Sequence, residues 1–294
     1  MLEKLLEDGW DYHDSESARL AGELEAEAPG PVAPELVVRF TRLATHTIGE
    51  HLRDWPRASR LAGRALGDQP PTPATTRAFL DLSVARLLAG DAVAALEAEL
   101  AALAAAEDPR ATLVEARFQL VGALVSSDRA ADARRIYGAA LALADRLGEA
   151  APARAIAVSS NNLAFDLLES KTRDPDEDAM MGAAADAAHV YWKRAGDWTN
   201  DERALYLRAL VATALGEPAR GLELAAEGLA IIVANSPRPI DAALLHLARA
   251  GAFAAMGDAS AKASEIALAD AAAEAAPSPD LKAWYAEERA KVAG

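Results

Sequence analysis

Ala85-Arg86-Leu87-Leu88-Ala89-Gly90-Asp91-Ala92-Val93-Ala94-Ala95 is the stretch that decides the fold. It reads as the end of an apolar helix, a short acidic turn and the start of a second, Ala-rich helix. Ala is the strongest helix former and loses no side-chain entropy on burial. The same break recurs as Arg53-Asp54-Trp55, Ser127-Asp128-Arg129, Gly216-Glu217-Pro218 and Gly257-Asp258-Ala259. Asp54, Asp91 and Asp128 stand 37 residues apart, and Glu217 and Asp258 stand 41 apart. The gap of 89 between Asp128 and Glu217 fits two units, with Asp174-Pro175-Asp176-Glu177-Asp178 at the intervening turn. Self-similarity at such a period is the mark of helical repeats.

Working outward, helix pairs are expected near 34–67, 73–106, 109–147, 152–195, 201–235 and 238–275, separated by proline-containing breaks such as Pro70-Pro71-Thr72-Pro73 and Ser236-Pro237-Arg238-Pro239. Residues 1–33 read as an N-terminal cap with helices near 1–8 and 14–28, and 276–294 as a polar C-terminal capping helix. No run of alternating β-branched and polar residues marks a strand. The chain is 52% hydrophobic and only 5% aromatic, a composition suited to closely stacked helices. A repeat array also explains how 294 residues form one domain, since each unit contacts only its neighbours.

These units resemble tetratricopeptide repeats. The likeness lies in the small residue that follows each turn acid by four, where the paired helices cross: Ala58 after Asp54, Ala95 after Asp91 and Gly221 after Glu217. Asn162-Leu163-Ala164 and Ala209-Leu210-Val211 sit where that family has its apolar–small pair. After Asp128 and Asp258 the position holds Asp132 and Lys262 instead. The resemblance spans about residues 35 to 275 and implies an all-α, right-handed α–α superhelix of about six pairs, whose first helices line a concave surface.

Charge and motifs narrow the function. With 45 acidic against 30 basic residues the formal charge is −15, which opposes nucleic-acid phosphates and anionic membranes. No basic cluster overrides it. The absence of cysteine excludes disulfides, thiolate nucleophiles and cysteine-ligated metals. No basic–apolar leader precedes the first helix, and runs such as Leu100 to Ala106 are too short to span a bilayer, so a cytoplasmic protein is expected. Phosphate loops, nucleophile elbows and His-Glu-x-x-His are all missing, so no catalytic residue and no cofactor is expected.

Two metal-like patterns are set aside. His46 and His51 are five apart, about 140° around an α-helix, so they are not expected to share an ion. Asp174, Asp176 and Asp178 mimic the opening of a calcium loop, but Ala179 and Ala185 stand where Gly and Glu are required. Acids at a helix N-terminus account for that run.

The expected site is the concave groove, with Arg42, His46, Arg77, Asn161, Asn162, Arg203, Tyr206 and Arg249 as candidates. Arginine offers a planar fork to carboxylates, and Asn can both donate to and accept from a peptide backbone. Tyr191, Trp192 and Trp198 form a second candidate interface. The expected function is a non-catalytic interaction module for a peptide or partner helix. The alternatives are a regulatory subunit sensing a small acidic molecule, and a structural homo-oligomer such as a homodimer.

Overall fold

The computed structural model describes residues 1–293, apart from the side chain of Ala293. Among these residues there are fifteen α-helices and no strand. They run α1 (Leu2–Tyr12), α2 (Ser17–Glu27), α3 (Pro34–Ala44), α4 (Trp55–Leu66), α5 (Thr76–Leu88), α6 (Ala92–Ala105), α7 (Pro109–Val125) and α8 (Ala130–Leu147). There follow α9 (Ala153–Glu169), α10 (Pro175–Ala195), α11 (Trp198–Ala214), α12 (Pro218–Ala234), α13 (Pro239–Ala255), α14 (Ala259–Glu274) and α15 (Pro279–Ala293). A π-helical segment, Thr45–His51, joins α3 towards α4. No helix among the described residues is long and apolar enough to cross a membrane.

The chain divides into two compact units, Met1–Pro152 and Ala153–Gly294. In each, consecutive helices pack as adjacent pairs, as a helical-repeat fold requires: α5 with α6 and α7 with α8 in the first, α9 with α10, α11 with α12 and α13 with α14 in the second. The pairs form because most breaks carry a start signal of their own, those before α5 and α8 excepted. Asp54, Asp91, Asp108, Asp174, Asp197 and Asp258 each accept from backbone N–H groups of the following first turn. Such caps satisfy donors that the helix itself leaves open. The prolines of the breaks, including Pro109, Pro175, Pro218 and Pro239, occupy the first helical position. That position needs no N–H.

The turn geometry corrects one register. The residue before each cap sits in the left-handed region: Arg53, Gly90, Asp128, Gly216 and Gly257, with φ of 54°, 92°, 57°, 84° and 77°. Asp128 therefore occupies the glycine position rather than the acid position, and Arg129 is the N-cap of α8. Four residues on from Arg129 is Ala133, fully buried, so the irregularity at Asp132 was a shift of one residue. Lys262 remains a departure. At Gly221 the crossing is close: a Cβ there would collide with Thr213 Oγ1 and stand 3.0 Å from the carbonyl of Ala209.

The aromatics divide between the interior and the surface. Trp55 is buried and donates from Nε1 to Ser127 Oγ at 2.8 Å, and Tyr285 is buried against α13 and α14. Trp10 and Trp284 are 38% and 43% exposed. The last helix also does more than cap. It packs on α13 through Leu281, Tyr285 and Val292.

Candidate functional site

The second unit contains a cavity of about 1340 Å³ built from four helices. Each presents one helical stripe to it, with spacings of three or four residues that keep side chains on a single face. Helix α11 offers Glu202, Tyr206, Leu210 and Thr213, and α13 offers Ile240, Leu244, Leu247 and Gly251. Asn161 and Phe165 come from α9, and Trp284, Glu288 and Lys291 from α15. The wall surface is mainly aliphatic and aromatic, with charged groups such as Glu169, Arg203, Arg238, Asp241 and Lys291 among the lining residues.

Glu202 is the unusual member. Its side chain is only 1% exposed, and neither carboxylate oxygen has a hydrogen-bond partner. The nearest cationic atom, Arg203 Nε, is 3.7 Å from Oε1, too far for a hydrogen bond. Burial, and then the neighbouring Asp241 carboxylate, push the Glu202 acid up to about 8 against the weaker pull of Arg203 and Arg238. At neutral pH it is mostly a neutral carboxylic acid, able to donate one hydrogen bond and accept others. Tyr206 lies between the two core clusters of this unit, and its phenol is raised by burial and secondarily by Glu288. Arg203 is held by Asp241 through contacts of 3.1 and 3.3 Å. Arg238 stacks over the Trp198 ring at 5.5 Å and donates to Thr199 Oγ1.

The structure brings three of the expected groove residues together here: Asn161, Arg203 and Tyr206. Asn162 is exposed beside Asn161, which donates to it at 3.4 Å. Arg249 is elsewhere on α13, bonded to Glu265 at 2.8 Å, where His246 also joins the same carboxylate. Arg42, His46 and Arg77 belong to the first unit. Arg42 is exposed on α3, while Arg77 lies 3.9 Å from Asp81 and 3.5 Å from Glu115. His46 bonds to Glu50 at 2.7 Å and touches His51, whose imidazole is held below its ordinary pKa by burial first and by His46 next.

The second expected interface is mostly internal. Tyr191 is buried, with the Arg194 guanidinium 4.7 Å from its ring centre. Trp192 is half-buried with Arg154 stacked over it at 5.7 Å, and Trp198 packs against the α11–α13 core. The Asp174 to Asp178 run is a helix start: Asp174 and Glu177 form a reciprocal capping box, and Asp178 pairs with Arg173.

Sequence reasoning missed Glu202, the α13 stripe and the contribution of α15. A signal for the first was present. Glu202 stands at the head of the Tyr206–Leu210–Thr213 stripe, and a carboxylate on an otherwise inward-facing stripe calls for a partner. No protein-family model matches the chain, and no curated protein matches it in sequence.

Proposed function

We propose that the chain is a non-catalytic interaction module of the tetratricopeptide-like kind, and that it takes a peptide or partner helix of another protein into the cavity of its second unit. The observation that carries this reading is the cavity itself: about 1340 Å³, aliphatic-walled and floored by a carboxyl group without a partner. Small-ligand pockets usually fall between about 300 and 1,000 Å³, so the volume favours several side chains of a polypeptide over one compact metabolite. Apolar stripes from four helices suit the apolar face of an amphipathic segment. Asn161 and Arg203 at the margin support contacts to its backbone or acidic groups.

The ion pairs alter how this is tested. Reversing the charge of Arg77, Arg203 or Arg249 would break Glu115, Asp241 or Glu265 contacts, so loss of binding would not separate site from scaffold. A photo-crosslinking residue at position 284, on the cavity wall and partly exposed, avoids this. Crosslinking to one defined segment of a partner, lost in a folded Leu210→Glu variant, is the expected result. A partner captured equally well by wild type and Leu210→Glu would refute the cavity assignment. Thermal stabilisation by a small acid alone would transfer the cavity to the ligand-sensing alternative.

A further inference from the structure

The chain has five histidines, and three of them, His13, His46 and His51, form one cluster in the first unit. We propose that these three side chains bind a single divalent transition-metal ion of the zinc class through their Nε2 atoms, with a fourth position open to water. The site is independent of the cavity in the second unit.

The backbone makes the cluster. In an α-helix His46 and His51 would point apart, the basis on which a shared ion was set aside above. Residues 45–51 are instead π-helical, with hydrogen bonds such as Leu52 N–H to the Thr47 carbonyl spanning five residues. That wider turn stacks residues five apart on one side, and such segments are rare and concentrated at functional sites. The two Nε2 atoms consequently lie 3.2 Å apart. His13, at the end of α1, completes the group with ring centres 5.0 Å from His46 and 5.2 Å from His51. The π segment is held open by packing. A Cβ at Gly49 would run into the Trp55 ring, so only glycine lets that indole seat against the widened turn.

Spacing and orientation both fit an ion. Metal–nitrogen bonds of about 2.0–2.1 Å at tetrahedral angles put two ligating nitrogens roughly 3.3 Å apart. The His46–His51 pair already meets this, and one nitrogen from each of the three residues lies within 4.8 Å of the others. Each Nδ1 faces an oxygen: His46 towards Glu50 at 2.7 Å, His13 towards the Trp10 carbonyl at 2.6 Å and His51 towards Asp14 at 3.4 Å. Acceptors at Nδ1 hold the proton there and leave Nε2 as the free lone pair, the arrangement that orients histidine ligands to metals. With both rings in that tautomer, two lone pairs confront each other at 3.2 Å, and a cation between them removes the repulsion. The side chains of His46 and His51 are 27% and 26% exposed, which leaves a path for the ion and room for a water.

The test uses the full chain, stripped of metal by chelator, titrated with Zn²⁺ by calorimetry and with Co²⁺ as a visible-absorption probe. One Zn²⁺ per chain and the intense bands of four-coordinate cobalt are expected, with a melting temperature that climbs as Zn²⁺ passes its Kd. His13→Ala and His51→Ala abolish this binding at concentrations that saturate the wild type, Glu50→Gln weakens it about 10-fold, and His246→Ala leaves it unchanged. Should His51→Ala disturb the π segment, His13→Ala at the helix end still reads the site. Zinc binding equal in wild type and His13→Ala, weak binding of several ions per chain, or a purely six-coordinate cobalt spectrum would each overturn the proposal.

Discussion

The first helices of the pairs in the two units treat a buried carboxyl group in opposite ways. In the first unit Asp81, fully buried on α5, accepts from Thr41 Oγ1 of α3 at 2.8 Å and from Gln119 Nε2 of α7, with Arg77 at 3.9 Å. Three successive first helices are thereby tied through one side chain. In the second unit Glu202 has no donor at either oxygen and lies against an open cavity. Burial raises the pKa of both groups, so both pay for leaving water. Only Asp81 offsets part of that cost within the fold, because only there do hydrogen-bond donors reach the carboxylate. The comparison teaches that a polar residue on an inner helix is structural where its neighbours satisfy it, and a site candidate where they do not.

The largest effect that would break this comparison is predicted at Asp81. Asp81→Ala strands the Thr41 and Gln119 donors and should cost about 2–4 kcal/mol, measured by urea denaturation. Asp81→Asn keeps an acceptor and should cost under about 1 kcal/mol. Equal effects from the two would show that Asp81 is not the tie between helices. Next in size, Gly221→Val in the second unit should lose about 1–3 kcal/mol, because the new side chain meets Thr213 and the Ala209 carbonyl.

An effect of opposite sign is expected at Glu202. Its folded-state pKa of about 8 lies above the ordinary carboxylate value of 4.5. Between those two values the folded chain holds a proton that the unfolded chain releases, so the Glu202 contribution to stability falls as pH rises through that window. Glu202→Gln should therefore be more stable than wild type at pH near 8.5 by a few degrees and should show a shallower decline from pH near 5.5. Asp81 titrates with the same sign and remains, so the decline does not vanish. A melting curve in which Glu202→Gln is the less stable protein at the higher pH would mean the carboxyl already has a partner.

Most of the fold was legible in the sequence because its signals are local. Asp and Pro at helix starts, Gly at turns and Ala-rich runs placed nearly every break, and the paired packing followed from their spacing. The exceptions have specific physical causes. The Asp128 turn was misregistered by one residue because Asp, like Gly, tolerates the left-handed region. The π-helical segment at 45–51 was invisible because helical periodicity assumes 3.6 residues per turn, and what widens this turn is the Trp55 ring against Gly49. That single departure converts a pair of histidines judged to be apart into a pair in contact.

The site was less legible. Asn161, Arg203 and Tyr206, named from the sequence, line the cavity because their place on the first helix of a pair is a local property. Whether an arginine is available depends on which acids the neighbouring helices bring, and Asp241, Glu115 and Glu265 come from other helices. The part played by α15 was hidden for the same reason. Its polar composition suggested a cap, yet the stripe containing Leu281, Trp284 and Glu288 flanks the cavity.

The central claim is that binding occurs in the second unit and that the inner face of the first is scaffold. Amide hydrogen exchange of the full chain, with and without the partner trapped through position 284, tests this most directly. The account predicts new protection in α9, α11, α13 and α15, with α3, α5 and α7 unchanged. Protection confined to α3, α5 and α7, with the cavity helices unaffected, would contradict it.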